Sequence, residues 1–507
     1  MRNANNPNGQ FQALSAAAAL PLSRLWRSLA GAGLALAMVA TFAGAQTPPT
    51  DTGTASATSP LTPPPEIGLV MPDTTAGRVM ERVLKSLAEP EAELGEDALS
   101  DEFKKQVPYA QLKQITAAVR AEHGAFTPTA IEKQRGERDL MVRAKTAKTA
   151  QTWQIILGLD EADKITTLLL RPASGADEPE LKDWADFDER VARLSGKQNF
   201  AAYEVRPAVA DGAPTLVAVH TIDADTRLAI GSTFKLYVLG ALAESIRGGK
   251  AKWETKLAIK DSQKSLPSGK MQDEAVGAEF PLSRFADLMI SISDNTATDH
   301  LIHYVGRDAV EAYMSRLHGK PELNRPFLTT REMFAIKLSG DTTLMERWKA
   351  VDEPARRDML LPDDAKRPTR PLSPRHNPGE VANTLPELSA AAGWKSPRAI
   401  DTIEWFASAE ELCRAMADLA RLEKLDGMDP LGHALRINPG LPLDTGKWIK
   451  IAYKGGSEPG VLNLTWLLTR GDGKVFAVSI GWNDTDRLLE EGKVLGLVSR
   501  AIELVGK

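Results

Sequence analysis

The chain has 507 residues, of which 43% are hydrophobic and 25% charged, with a formal net charge of −5. These ordinary globular values exclude a fibrous or low-complexity protein, and the near-neutral balance leaves no electrostatic footprint for nucleic acid or an anionic membrane. The length accommodates two or three domains, and the single cysteine, Cys413, excludes an intramolecular disulfide, so stability has to come from packing.

Residues 1–45 contain Arg2, Arg24 and Arg27 and no acid, followed by an apolar run from Leu29 to Phe42. That run is shorter than the ~20 residues needed to cross a bilayer. Ala43 and Ala45 then stand at the small-residue spacing read by a signal peptidase. The pattern predicts a cleaved secretory signal ending at Ala45 and a secreted or periplasmic chain. No cysteine follows the apolar run, so no stable membrane anchor is expected. Residues 46–70, rich in Thr, Pro, Ser and Ala, cannot bury enough apolar surface to offset ordering and read as a disordered tether.

A small domain is expected over 71–172. Val79, Val83 and Leu87 mark one helix face, and Leu112, Ile115 and Val119 a second. The period then shortens, and "DLMVRA", "TWQIILGLD" and "KITTLLLRP" read as strands between turn residues. Helices followed by an antiparallel sheet make an α+β layout. By element order it resembles the cystatin-like or steroid-isomerase-like (NTF2-like) fold, and it reads as a packing or binding module.

A larger domain fills 175–507. Leu181, Trp184, Phe187 and Val191 open it with an amphipathic helix, and "TLVAVHTID" reads as a strand. A helical middle follows, then the strands "KWIKIAYKGG", "VLNLTWLLTR" and "KVFAVSIGWND", and a closing helix over "LLEEGKVLGLVSRAIELVGK". This order implies one sheet built from both chain ends with a helical subdomain inserted. Residues 339–400, dense in Pro and charge, read as a lid or mobile insert. Cys413 sits among Leu412, Met416 and Leu419 and reads as a core thiol on a helix.

Three short elements carry chemistry. In "AIGSTFKLYVLGALAESI" an all-round apolar helix begins with Ser232 where an N-cap belongs, and Lys235 shares its face at i+3. Burial lowers a lysine pKa, and the neutral amine can then accept the serine proton. In "MISISDNTATDHLIHYVG", Ser293, Asp294 and Asn295 fall at the junction of two helices, where a second hydroxyl and an amide can reach the first site. In "IAYKGGSEPGVLNLTWLL", Lys454 ends an apolar strand, and Gly455 and Gly456 let a substrate lie close to the backbone. Each element has a bland reading as well: a cap, a capping turn and a hairpin with a surface lysine.

Taken in this order, Ser232-Thr233-Phe234-Lys235, Ser293-Asp294-Asn295 and Lys454-Gly455-Gly456 resemble the S-x-x-K, S-D-N and K-T-G signatures of class A β-lactamases and other penicillin-recognising serine hydrolases. The two-domain layout further resembles the β-lactamase-like proteins of clavulanic acid gene clusters, and "PSGKMQ" (267–272) and "IEWFAS" (403–408) are similar to stretches in that group. The resemblance implies a β-lactamase-like α/β sandwich with a helical subdomain over about 180–507. It implies Ser232 as acylated nucleophile, Lys235 as its general base, Ser293 as proton relay to the leaving group and Lys454 as the fixed charge. Asn295, Gly455, Gly456 and Ser457 would position the substrate, the backbone N–H groups of Ser232 and Ser457 would form the oxyanion hole, and Asp294 would be structural. The implied activity is hydrolysis of a small molecule, a β-lactam or a related amide or ester, through an acyl-serine. A weak esterase, a D,D-peptidase-like enzyme and a slow-turnover binding module for β-lactams or cell-wall fragments are the alternatives.

Two positions depart from the pattern. Class A enzymes carry a glutamate after S-D-N that activates the deacylating water, whereas Lys320 occupies the aligned place here. Glu322, Glu332 and Glu404 are the substitutes. Gly455 replaces the threonine of K-T-G and removes a hydroxyl that helps to hold a β-lactam carboxylate, with Ser457 as a compensating candidate. Elsewhere "GGSEPG" misses G-x-S-x-G at Pro459. His300 and His303, at i and i+3 without a third ligand, read as surface or core residues. No phosphate loop is found, and no metal or cofactor is called for.

Overall fold

The structure, a computed structural model, describes residues 69–507 apart from 149–151, 173–178, 208–211, 266–267, 340, 342, 362–379, 383, 385–393 and 395. The leader read over 1–45 and nearly all of the tether lie outside the described residues.

The first unit begins with α1 (Thr75–Ala88), whose first turn is held by the Thr74 side chain and whose buried stripe includes Met80, Val83 and Leu87. A short α2 (Asp101–Gln106) starts at Ser100, and α3 (Tyr109–His123) stops at Gly124, where φ is 74°. Four antiparallel strands follow in the order β1-β2-β3-β4: β1 (Phe126–Arg135), β2 (Asp139–Thr146), β3 (Thr152–Leu159) and β4 (Ile165–Pro172). Val142, Trp153 and Ile155 pack from the sheet onto Met80, Val83 and Leu87 of α1. Neither α2 nor β1 is visible in the hydrophobic pattern. β1 is an edge strand with Pro128, two register shifts and mostly polar side chains, and an edge tolerates all three.

The second unit opens with α4 (Trp184–Val191), capped by the Asp183 side chain. Then come β5 (Lys197–Arg206), which the sequence reading does not single out, β6 (Thr215–Ile222) and the two-residue β7 (Leu228–Ala229). A 3-10 turn (Gly231–Phe234) runs into α5 (Lys235–Arg247). The small ribbon of β8 (Lys256–Ala258) and β9 (Glu279–Pro281) precedes α6 (Leu282–Ser291), α7 (Asn295–Val305), α8 (Arg307–Ser315) and α9 (Thr330–Leu338). After α10 (Leu344–Ala350) and α11 (Glu353–Met359), β10 (Phe406–Ala407) pairs with β7, followed by α12 (Ala409–Glu423) and α13 (Asp429–Arg436). β11 (Trp448–Glu458), β12 (Val461–Arg470), β13 (Val475–Asn483) and α14 (Glu491–Val505) close the chain.

The main sheet has the order β11-β12-β13-β5-β6 and is antiparallel throughout, so strands from the two ends of the unit meet at the β13–β5 pair. Its side chains alternate between two cores. Ala201, Tyr203 and Ala477 join the core built on α5, α6 and α12, while Phe200, Ala202 and Val478 join a second core with α4 and α14. α5 is buried on all sides from Leu236 to Ala243. The expectation that 339–400 is a lid or mobile insert is corrected for its first part. Leu344, Trp348, Met359 and Leu360 are buried in the helical core, because α10 and α11 each present an apolar side to it. Most of 362–393 lies outside the described residues. Among the described residues, no helix is long and apolar enough to cross a membrane.

Candidate active site

Ser232 is placed by a close approach of two backbones. Ile230 donates its N–H to Trp405 O at 2.9 Å, and Gly231 turns the chain with φ of 47°. A Cβ on Gly231 would stand 3.0 Å from Ser457 N, and a Cβ on Gly456 would overlap Ile230 O, Ser232 N and Thr233 N. The serine turn therefore rests on β11 with no side chain between them. The expectation that Ser232 caps the helix is corrected. α5 starts at Lys235, Phe234 is its N-cap, and no side chain caps it. Because residues 231–234 form a tighter 3-10 turn, the Ser232 hydroxyl is free to point at the lysine one turn ahead.

Lys235 is fully buried, and its Nζ gathers four oxygens: Ser232 Oγ at 3.0 Å, Ser293 Oγ and Ser293 O at 2.9 Å each, and Asn295 Oδ1 at 2.7 Å. Burial holds its pKa well below the ordinary lysine value, and the positive charge of Lys454 acts in the same direction against the opposing pull of Asp294 and Asp299. An amine with that environment gives up its proton readily and can then accept one from a hydroxyl at hydrogen-bond distance.

The second element is held by its own capping chemistry. Ser293 takes a left-handed backbone with φ of 59°. The Asp294 carboxylate accepts from Ala297 N at 2.8 Å, capping α7, and from Lys270 N at 2.7 Å and Met271 N at 2.9 Å. Gly269, with φ of 117°, is packed so closely on that carboxylate that a Cβ would overlap it. Ser268 Oγ donates to Ser293 O at 2.8 Å, and Ser268 O accepts from Asn295 N at 3.0 Å. Residues 268–271 are thus laced onto the Ser-Asp-Asn turn, and Ser268 and Gly269, which the sequence marks only through the resemblance of "PSGKMQ", support the site. The third element, Lys454 on β11, is buried, with Gly455 O accepting from its Nζ, and burial pulls its pKa down to about 7. Gly455 and Gly456 follow on the same strand, and Ser457 is exposed beside Gly231.

A family model described as the beta-lactamase enzyme family matches residues 217–504, a span that takes in all three elements. The chain belongs to the beta-lactamase enzyme family. Solved structures similar to this β-lactamase-family chain include a beta-lactamase from Sphaerobacter thermophilus, 20% identical over 64% of this chain and 97% of that one, with a TM-score of 0.41. A class A beta-lactamase from Mycobacterium abscessus is 15% identical over 63% and 97%, with a TM-score of 0.38. PBP-A is 16% identical over 64% and 98%, with a TM-score of 0.37. No curated protein matches the sequence.

In this β-lactamase-family unit, the hydrogen bonds of Lys235 go to Ser232, Ser293 and Asn295, and the three candidate deacylation bases have other surroundings. Glu322 is exposed in a 3-10 turn (Pro321–Asn324). Glu332 closes a capping box with Thr329 on α9 and pairs with Arg307 at 2.6 Å. Glu404 is buried against Lys337 Nζ at 2.7 Å, and the same amine binds Glu458 at 2.6 Å. Burial opposes the charge on Lys337, but Glu404 and Glu458 outweigh it and raise its pKa. Burial and the neighbouring Glu404 push the Glu458 carboxyl well above the ordinary range. This cluster sits one residue from Trp405, whose ring stacks on Phe234 with centroids 3.7 Å apart, so it braces the serine turn from behind. The sequence reading treats Glu404 as a possible base and does not find Lys337 or Glu458. An isolated buried lysine and two distant glutamates have no signal until the fold brings them together.

The remaining candidates take ordinary places. His300 accepts from Lys260 N at 2.9 Å through Nε2, its Nδ1 lies 2.7 Å from Thr296 O, and His303 is exposed. Cys413 is buried, and burial pushes its thiol up. Among the described residues no group of three or more His, Cys, Asp or Glu side chains is placed to hold a metal ion.

Proposed function

We propose that this β-lactamase-family chain is a secreted serine hydrolase that forms an acyl-enzyme on Ser232 with a β-lactam or a related small amide or ester. The observation that carries the reading is the buried Lys235 amine, within 3.0 Å of the Ser232 hydroxyl and 2.9 Å of the Ser293 hydroxyl. In this reading neutral Lys235 takes the Ser232 proton as Oγ attacks the carbonyl carbon. Ser293, bonded to the same amine, passes a proton to the departing nitrogen or oxygen. Lys454 contributes positive charge to the pocket, and Asn295 holds Lys235 in place. The backbone N–H groups of Ser232 and Ser457 are the proposed oxyanion donors, supported by the contact of Gly231 with Ser457 N. The front unit is proposed to be an NTF2-like packing or binding domain, and export is proposed from the leader.

One observation favours slow release of the acyl group. Glu332 and Glu404 are committed to Arg307 and Lys337, and Glu322 lies on an exposed turn, which supports the reading that none serves as base for the deacylating water. Incubation with a fluorescent penicillin and a chromogenic cephalosporin tests both points. Turnover supports the hydrolase, and a lasting adduct on Ser232 supports the slow-release form. Absence of both, with cleavage of short esters, would leave an esterase. Activity of any kind retained in Ser232→Ala removes the reading.

A further inference from the structure

α9 is tied at both ends to parts of the candidate site. At its start, the Asp299 carboxylate of α7 accepts from Thr330 N at 2.7 Å, from Thr330 Oγ1 at 2.8 Å and from Arg331 N at 2.9 Å. α7 begins at Asn295, so this end is joined to the helix that carries the Ser-Asp-Asn turn. Two turns further on, about 10 Å along the helix, Lys337 is fully buried. Its Nζ binds Glu404 Oε1 at 2.7 Å and Glu458 Oε1 at 2.6 Å.

These two carboxyls belong to the two backbones that hold the Ser232 turn. Glu404 precedes Trp405, whose carbonyl accepts from Ile230 N at 2.9 Å and whose ring stacks on Phe234. Glu458 ends β11 on the strand face shared by Lys454 and Gly456, because side chains alternate along a strand. A Cβ on Gly456 would overlap Ser232 N, and one on Gly231 would stand 3.0 Å from Ser457 N. Ser457 therefore lies between two pinned neighbours, Gly456 against the serine turn and Glu458 on the Lys337 amine. Burial and the adjoining Glu404 carboxyl keep Glu458 well above the ordinary carboxyl range. A neutral carboxyl has the hydrogen-bonding capacity of an amide, accepting from the amine at one oxygen and donating at the other end.

We propose that Lys337 is a positioning residue for acylation: by holding Glu404 and Glu458 on one amine, it fixes the backbone N–H groups of Ser232 and Ser457 relative to each other. The inference rests on the reading of Ser232 as nucleophile and of these two groups as oxyanion donors. The tie acts through the backbone and not through contact with the acyl donor. It therefore bears on the rate of acylation, where donor spacing counts, and little on the affinity of the complex that precedes it.

Single-turnover labelling of Ser232 by a fluorescent penicillin in the full chain separates the Kd of the first complex from the acylation rate constant. Glu458→Ala cuts the tie and should lower the rate constant about 10- to 100-fold with Kd within about twofold, a smaller loss than that of a missing oxyanion donor. Glu458→Gln keeps both hydrogen bonds and should restore the rate constant to within about threefold of the parent. Hydrogen exchange gives a second readout. Segments 229–236 and 453–460 should exchange faster in Glu458→Ala and at the parent rate in Glu458→Gln, with 126–146 of the front unit unchanged in both. Should Glu458→Ala fail to fold, Glu458→Asp, shorter by one methylene, carries the same expectations. The proposal is overturned by an unchanged acylation rate in the cut variant, by a loss confined to Kd, by Glu458→Gln as slow as Glu458→Ala, or by unchanged exchange in both segments. If the unaltered protein takes no label on Ser232, the hydrolase reading fails by itself, and the exchange pattern still decides whether Lys337 ties the two backbones.

Discussion

The Lys235 amine stands 3.0 Å from the Ser232 hydroxyl in a fully buried position, and its other bonds go to Ser293 and Asn295. Among the described residues no carboxylate neutralises it by direct contact. That arrangement supports the proposed role of the lysine as a base, and the consequences can be measured.

Replacing either member of the pair should stop acylation in different degrees. Ser232→Ala is expected to give no covalent adduct with a fluorescent penicillin. Lys235→Ala, which keeps the hydroxyl but removes the proton acceptor, should slow labelling by roughly 10²–10⁴-fold, the usual contribution of a general base. Equal labelling rates in Lys235→Ala and the parent would show that the serine is activated by another group.

The pH profile of acylation should have two limbs with assigned causes. In the proposed mechanism Lys235 works as the neutral amine, so the rate should rise with pH as Lys235 loses its proton, at a pKa well below the ordinary lysine value. In the same mechanism Lys454 works as the cation, so the rate should fall as pH rises through about 7, where burial places its pKa. The Lys454 charge depresses the Lys235 pKa. Lys454→Met should therefore move the acid limb to higher pH and remove the upper one. A profile unmoved by Lys454→Met would separate the two amines electrostatically.

Gly456→Ala places a Cβ on top of Ile230 O, Ser232 N and Thr233 N. The serine turn has to shift, at a stability cost of about 1–3 kcal/mol typical of overpacking. Labelling of Ser232 should slow more than the thermal midpoint falls, because a small displacement misaligns the hydroxyl and the lysine. Thermal unfolding and labelling kinetics on one sample decide it.

Lys337 balances Glu404 and Glu458 in a site where all three side chains are nearly or fully buried. Lys337→Met leaves two buried carboxyls without a cation and should cost about 3–5 kcal/mol in denaturant unfolding. Glu458 has a folded pKa above its unfolded value, so its contribution to stability is fully present at low pH and is lost as pH rises through the folded pKa. Removing Lys337 takes away a group that lowers that pKa, so the deficit of the variant should be smaller at mildly acidic than at mildly alkaline pH.

Glu322→Gln should leave both deacylation and stability unchanged, since the side chain is exposed. Glu332→Gln should lower stability by about 1–2 kcal/mol through loss of the charge on its capping box and Arg307 pair, without a selective effect on deacylation. Decay of the labelled adduct after removal of excess probe measures this. A selective slowing in Glu332→Gln or Glu404→Gln would restore that glutamate as the water-activating base.

Periodicity and motif spacing carried a good deal on their own. The apolar helix after Ser232, the strands that carry Lys454 and its neighbours, and the junction at Ser293–Asn295 are legible because each is a local pattern of burial or turn chemistry. Edge strand β1 was hidden by its polar side chains and Pro128, and α10 and α11 by the charge around them. Whether three segments spread over more than two hundred positions share one pocket is not a local property. It depends on β11 pressing Gly456 against the 231–234 turn, and on Ser268 and Asp294 tying a loop to the next helix. The same holds for the Lys337 cluster. The residue types of a site are written in the chain, but the desolvation that lowers a lysine pKa and the contact that positions a hydroxyl exist only when distant segments exclude water together.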